Sequence, residues 1–463
     1  MELSRDVDIR LAYARDASGL ELIPEAVARV ATISEVVDVV RDAAAQGTSV
    51  TAAGAQTSTT AASIVDRGVL VSLRGMARVL DIDPVERTAR VEPGVTIGAL
   101  NEELASLNLR FAPDPTSEHE ATIGGAIACN ASGARSLRYG ATRAHVRALR
   151  VVDGTGDVAN FRRPNLEKNT VGFHVAQDPV DWIVGSEGTL GVVVEAELAL
   201  VPLPMREVGL AIPFSSEDAA LAFIVSARER SDRASGPRAQ CLEFFDGEAL
   251  SIARSDTGTP HWMSGAAALV YLEQAIEDEA SLDTALDRWL ALVDSSGANA
   301  ADIAVYEDAS AIRAARRFRH AVPSFMNERG SQRRAFGGRK VSTDWAVPYR
   351  RLAEALEAAR RAADAQHVPP PVTYGHAGNG HPHQNFIAHD AEELDRINGV
   401  VEATIRYVLM LGGTAAAEHG LGKLKRRWLT AQLSPRQLEL MQALKRMLDP
   451  RGLFAPGNVF SPE

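Results

Sequence analysis

The segment from Val372 to Asn385, Val-Thr-Tyr-Gly-His-Ala-Gly-Asn-Gly-His-Pro-His-Gln-Asn, gathers three of the chain's eleven histidines into eight positions. Neutral imidazoles are common ligands of divalent ions, so His376, His381 and His383 are candidates for a metal site. They surround Asn379-Gly380, and Asn-Gly is the strongest short hairpin signal. A two-residue turn there pairs positions that sum to 759, setting His376 directly opposite His383 with side chains about 5 Å apart. Pro382 cannot donate to a strand ladder, which restricts the hairpin to an edge or irregular form and keeps His381 open as a competing ligand. A second segment, Gly412 to Lys423, sets Glu418 and His419 among small residues that leave room for a ligand, immediately before an expected helix. Two imidazoles and a carboxylate make a common divalent site with open positions, and such an ion can chelate both the carboxylate and the hydroxyl of a 2-hydroxy acid. Taken singly, the segments also read as solvated loop histidines and a surface Glu-His pair.

Two further loops suit an anion. Ala53-Gly-Ala-Gln-Thr-Ser58 follows an expected strand, and Thr122 to Gly133 is rich in Gly, Ala, Ser and Asn. Small residues let successive backbone N–H groups close on a pyrophosphate. The chain has no G-x-G-x-x-G after a strand and no G-x-x-x-x-G-K-[ST], so neither a Rossmann site nor a P-loop is supported.

Positioning such groups requires a scaffold, and hydrophobic periodicity outlines one. Ile33 to Gly47 reads as a helix with a Ser34 cap, followed by strands at 48–53, 69–73, 79–83 and 88–92. A Thr96-capped helix places Ile97, Leu100, Leu104 and Leu107 on one stripe. The stretch from Phe111 to Gly140 has no periodic apolar face and reads as a long functional loop. Strands are expected at 146–158 and after Gly185-Ser-Glu-Gly-Thr-Leu-Gly191. Beyond Pro202 and Pro204 the pattern is helix 216–230, strand 266–273 and helix 282–294, a second α+β domain. A Pro435-initiated helix points Leu438, Met441, Leu444 and Leu448 inward.

Length and composition bound the class. A chain of 463 residues, 46% hydrophobic and 24% charged, is long enough for two or three cores. The formal net charge of -11 argues against a nucleic-acid surface. No apolar stretch of signal-peptide or membrane-spanning length occurs. With only Cys129 and Cys241, an internal iron-sulfur cluster or a disulfide framework is excluded, and the expectation is two buried free thiols in a cytoplasmic protein, with a peripheral membrane position left open.

These segments together resemble the vanillyl-alcohol oxidase and p-cresol methylhydroxylase superfamily of FAD-linked oxidases and dehydrogenases, in its D-lactate and D-2-hydroxyglutarate dehydrogenase branch. The likeness runs through Gly54 to Ser58; Pro113-Asp-Pro-Thr-Ser117 with Thr122 to Gly133 and Arg138-Tyr-Gly140; Gly185 to Gly191; and Pro456-Gly-Asn-Val-Phe460. It covers nearly the whole chain. Here Ala53, Ala455 and Asn458 stand where the family usually has Arg, Asn and Lys. The resemblance implies an α+β fold with a two-subdomain FAD-binding domain of PCMH type over 1–204, an α+β substrate (cap) domain over 205–415, and a C-terminal segment over 416–463 that returns to the flavin. It implies noncovalent FAD held by Gly54, Ala55, Gln56, Thr57, Ser58, Pro113, Asp114, Thr122, Gly124, Gly125, Asn130, Ser132, Gly133, Glu187, Gly188, Val192 and Asn458.

The family motifs His-x-Gly-Asp-Gly-Asn-x-His-x-Asn and Glu-His-Gly-x-Gly fall on His376, His383, Asn385, Glu418 and His419, with Asn379 in place of the Asp and His381 in place of the second Asn. By resemblance His376, His383 and Glu418 bind a divalent metal, zinc or manganese, while His419 accepts the hydroxyl proton. Asn385 belongs to the same site, and Arg319 and Lys340 meet the substrate carboxylate. The implied activity is FAD-dependent, metal-assisted oxidation of a D-2-hydroxy acid such as D-lactate, D-malate or D-2-hydroxyglutarate. The alternatives are a flavin oxidase of another alcohol and a non-catalytic flavin-binding subunit of a redox complex. Quinone, cytochrome, electron-transfer flavoprotein and oxygen all remain open as electron acceptors, and a homodimer is the default assembly.

Overall fold

The computed structural model describes residues 3–233, 236–257, 265–296, 298 and 302–461. The chain divides into two compact units, one of Met1–Gly133, Tyr139–Leu203 and Glu418–Glu463, the other of Ala134–Arg138 and Pro204–Ala417. Among the described residues no helix is long and apolar enough to cross a membrane.

The first unit holds two larger sheets, in keeping with the two-subdomain α+β expectation. In one, parallel strands are ordered Ala26–Arg29, Val69–Ser72, Val50–Ala53. Helix Ile33–Gln46 covers it, burying Val36, Val39, Val40 and Ala43. Its cap is Thr32 rather than the expected Ser34. Thr32 accepts the Glu35 N–H while the Glu35 carboxylate reaches back to the Thr32 N–H, so two end donors are satisfied reciprocally. The C-terminal segment joins the same sheet edge, with Val50 N–H donating to the Leu453 carbonyl and Ala455 N–H to that of Val50. Phe454 is thereby buried in this core, a burial that contributes roughly 1.5–3 kcal/mol.

The second sheet is antiparallel, in the order Val79–Asp83, Thr88–Val91, Val192–Ala199, Val146–Val152, Val158–Arg162. Alternating burial toward the end of Val192–Ala199 follows from one face meeting helices Ile97–Ala105 and Ile123–Cys129. The first of these ends at Ala105, so Leu107 lies beyond the apolar stripe and is exposed. The second corrects the reading of 111–140 as wholly irregular. Gly124 and Gly125 weaken helix propensity, but Thr122 caps the start and Ile123, Ala126 and Ile127 form a buried face. Tertiary burial overrides the weak local signal. Of the two thiols, Cys241 is buried and Cys129 half-buried.

The second unit is built on one seven-stranded antiparallel sheet. Its order is Ala304–Tyr306, Arg206–Phe214, Ala268–Ile276, Ala239–Phe245, Val372–Gly375, His383–Asp390, Gly337–Ser342. The helix Ala309–Arg333 packs Ala315, Val322 and Met326 against Cys241, Phe245, Leu269 and Tyr271 of this sheet. Pro323 lies inside that helix and offers no N–H to the carbonyl four residues back, that of Arg319.

Candidate functional site

The histidine segment does not form a two-residue hairpin. Strands Val372–Gly375 and His383–Asp390 pair with Tyr374 opposite His383, so partners sum to 757 rather than 759. Between them Ala377–Asn379 makes a 3-10 turn, with Asn379 and His381 N–H groups both donating to the His376 carbonyl. A longer connection is needed because Pro382 cannot continue the ladder up to Asn379-Gly380. The rings converge all the same: His376 and His383 have centroids 5.0 Å apart at an interplanar angle of 74°, and His381 lies 4.8 Å from His383. Gly375, at φ 109°, makes the approach feasible, since a Cβ there would stand 2.7 Å from Cδ2 of His383.

Each ring has a carboxylate or an aromatic neighbour. Nδ1 of His376 lies 2.7 Å from Oε1 of Glu243, with both side chains almost fully buried. Nε2 of His381 lies 3.3 Å from Oδ1 of Asp344, also buried. The His383 ring packs on Tyr374, whose phenol burial pushes up to about 12, so it stays protonated. Asn385 is buried, with its Oδ1 accepting from the Ser342 hydroxyl at 2.6 Å and its Nδ2 donating to the Tyr374 hydroxyl at 3.1 Å.

Glu243 brings a second sequence-predicted residue to the cluster. Its Oε2 pairs with Nε of Arg319 at 3.1 Å. One turn earlier on the helix, Arg316 pairs with Glu273 at 2.5 Å and Glu207 at 3.0 Å. Lys340, on the strand Gly337–Ser342, donates to Oδ1 of Asn327 at 2.8 Å, and burial pulls its ammonium down to about 8. Sequence reasoning missed Glu243 and Asp344. Glu243 carries a recoverable signal, a lone acid in the apolar strand Cys241-Leu-Glu-Phe-Phe245, because an unpaired charge at a core position is too costly to leave there.

The predicted cofactor residues gather in the first unit. In the loop after Val50–Ala53, the polar side chains serve the protein. Nε2 of Gln56 donates to the Tyr13 and Ser63 carbonyls, and Oγ of Ser58 accepts from the Thr60 and Ala62 N–H groups. The backbone N–H groups of Gly54 through Ser58 meet no acceptor among the described residues, although the loop is half-buried. With Gln56 left-handed at φ 58°, such a run forms a concave donor array suited to an anion. The loop also sits tight on Thr122, whose Oγ1 would lie 2.2 Å from a Cβ at residue 54. The pyrophosphate of FAD fits this cradle by the chemistry of its donors.

The remaining predicted contacts frame the same unit. Gly124 and Gly125 lie in the first turn behind Thr122, and Asn130 ends that helix left-handed, its Oδ1 accepting the Arg143 N–H. Buried Pro113 and half-buried Asp114 run beside Gly133, where a Cβ would meet the Asp114 carbonyl at 2.2 Å. Gly188 faces open space at φ 72°, and Val192 is buried at the start of its strand. Two of the predicted contacts instead tie the C-terminal segment. The Glu187 carboxylate accepts the Leu421 and Gly422 N–H groups at 2.7 and 2.6 Å, and burial raises its pKa. Nδ2 of Asn458 donates to the Ala62 and Glu187 carbonyls, while its Oδ1 accepts from Lys423, whose ammonium burial lowers to about 8. Glu418 accepts the Ser132 hydroxyl at 3.1 Å, and the His419 carbonyl accepts that of Thr60. Turns follow this Glu-His pair instead of the expected helix, which begins only at Arg427.

Residues 24–162 match the model of an FAD binding domain, and residues 203–459 match that of the C-terminal domain of FAD linked oxidases. The glycolate oxidase subunit GlcD of Bacillus subtilis is 30% identical, the match covering 98% of this chain and 93% of that one. The D-2-hydroxyglutarate dehydrogenase of Stutzerimonas stutzeri is 28% identical over 98% and 95%, and the D-lactate dehydrogenase of Anaerostipes hadrus 26% over 94% and 89%. Among solved structures, alkyldihydroxyacetonephosphate synthase superposes with a TM-score of 0.73 at 16% identity, covering 98% of this chain and 83% of that one, a likeness of fold. With both domain models matched and a backbone cradle suited to the cofactor, the chain belongs to the FAD-linked oxidases and is an FAD-binding oxidoreductase.

Proposed function

We propose that the chain oxidises a D-2-hydroxy acid of D-lactate, D-malate or D-2-hydroxyglutarate type to its 2-oxo acid, assisted by a zinc or manganese ion held by His376, His383 and Glu418. The observation that carries this reading is the buried His376–His383 pair, 5.0 Å between ring centroids, with a carboxylate on the far nitrogen of His376. Ligating histidines commonly donate their second N–H to such a group. The donor set, two imidazoles and a carboxylate, fits a divalent ion with open positions. The names of the relatives, D-lactate and D-2-hydroxyglutarate dehydrogenase among them, support the substrate class.

FAD, when bound, supplies a two-electron acceptor. A divalent ion supplies Lewis acidity that makes the substrate hydroxyl easier to deprotonate. The chain's own residues do the rest. His419 takes the hydroxyl proton near neutral pH. Arg319 offers the substrate carboxylate a planar fork and Lys340 a point charge, together favouring one orientation of the carbon that is oxidised. Asn385, held by Ser342 and Tyr374, presents a fixed amide beside His383.

Anaerobic visible spectroscopy tests the reading, with D and L forms of lactate, malate and 2-hydroxyglutarate added before and after a chelator. The expected result is bleaching of the oxidised flavin band by a D acid, abolished by the chelator and restored by zinc or manganese. Bleaching that survives complete metal removal overturns the metal role, and no bleaching by any of these acids overturns the substrate class.

A further inference from the structure

We propose that Glu243 is a positioning residue serving the metal ligand His376 and the substrate anchor Arg319 at once. The inference rests on the proposed function and extends it to a residue outside the metal and substrate contacts. Glu243 sits in the strand Ala239–Phe245 and is completely buried. Its two oxygens divide the work: Oε1 lies 2.7 Å from Nδ1 of His376 and Oε2 lies 3.1 Å from Nε of Arg319.

The chemistry on each side is specific. A carboxylate is acceptor-only, so a contact with His376 Nδ1 places the proton on that nitrogen and presents the Nε2 lone pair to a metal. On the other side the carboxylate takes the Nε edge of the Arg319 guanidinium, which restricts the direction in which the terminal nitrogens can fork toward a substrate carboxylate. One rigid, buried side chain therefore sets the orientation of both groups.

A purely structural role makes a different claim, and the neighbouring strand provides the control. Glu273 is the backbone partner of Cys241 and is also buried, pairing with Arg316 and accepting from Tyr271, with no histidine contact given for it. Replacing Glu273 by Gln removes a buried carboxylate from the same face of the sheet while leaving His376 and Arg319 their shared partner. Replacing Glu243 by Gln leaves one oxygen for two donors. The amide NH2 must then face either Arg319, donor against donor, or His376, where it favours the tautomer that protonates Nε2 and blocks ligation.

The experiment compares wild type, Glu243→Gln, Glu243→Asp and Glu273→Gln as FAD-loaded proteins. Zinc and manganese affinity is measured by equilibrium dialysis, KM and kcat with the best D acid, and flavin content and far-UV circular dichroism serve as folding controls. The expected outcome for Glu243→Gln is about 10- to 100-fold weaker metal binding together with a raised KM that saturating metal does not restore, at unchanged flavin content. Glu243→Asp, which keeps the charge on a shorter stem, falls between, and Glu273→Gln binds metal as wild type does. Should Glu243→Gln misfold, Glu243→Asp against Glu273→Gln decides the matter by the same two readouts. Equal metal affinity and KM in wild type and the Glu243 variants, or equal losses in Glu273→Gln, overturn the inference alone. A wild-type protein that binds neither ion overturns the metal reading, and the inference falls with it.

Discussion

The loop from Gly54 to Ser58 and the cluster around His376 and His383 recognise their ligands by opposite means. The loop turns its polar side chains into the protein and offers backbone N–H groups, whereas the cluster works entirely through side chains steered by other side chains. Backbone recognition depends on chain path and on small residues, so it tolerates Ala53 and Asn458 where relatives usually carry charged groups. Side-chain recognition depends on the identity of each residue and on the carboxylate behind it. The two regions should therefore respond differently to substitution.

The largest effect is expected from the side-chain chemistry. His419→Ala should retain FAD yet slow anaerobic flavin reduction by the substrate by about 10²- to 10⁴-fold, as a lost general base does. Normal reduction in stopped flow would remove His419 from that role. Arg319→Lys comes next: the charge survives but the fork and its Nε contact to Glu243 do not, and KM should rise roughly 10- to 100-fold with a smaller change in kcat. Equal fractional losses in kcat and KM would point instead to a general distortion.

The backbone region is probed by Gly54→Ala, whose added methyl would lie 2.2 Å from Oγ1 of Thr122. Overpacking of this kind costs about 1–3 kcal/mol, so FAD affinity should fall roughly 5- to 150-fold while metal affinity stays constant. A Gly54→Ala protein that retains wild-type FAD affinity would break the contrast between the regions.

The smallest expected effect is a pH limb. Burial lowers the Lys340 ammonium to about 8, so it is charged below that pH and neutral above it. KM should rise roughly two- to fivefold as pH passes through about 8, and the limb should vanish in Lys340→Arg, which stays charged. For folding the sign is opposite. The unfolded chain holds this proton until about 10.5, so stability contributed by this group rises with pH between about 8 and 10.5 and has no slope below.

Much of the architecture is legible in the chain itself. The helices Ile33–Gln46, Glu217–Ser231 and Pro435–Leu448 follow from apolar period and end signals, and the glycine-rich loops and the two histidine-bearing motifs are visible as composition. Local errors arose where two local signals competed, as at Thr32 and Ser34, or where burial outweighed propensity, as in the Ile123–Cys129 helix. The convergence of His376 and His383 was anticipated from Asn379-Gly380, but it is reached through a different register and a 3-10 turn.

By itself, then, the sequence determined which residue types were available for metal, proton and anion chemistry, because composition and short spacing are local properties. Tertiary structure alone decided their partners. Glu243 is 133 positions from His376 and meets it only because the strand Ala239–Phe245 lies beside Val372–Gly375 in the sheet. Arg319 reaches the same carboxylate because its helix packs on that sheet's face. Such pairings depend on strand order and helix packing, which no short spacing in the chain encodes.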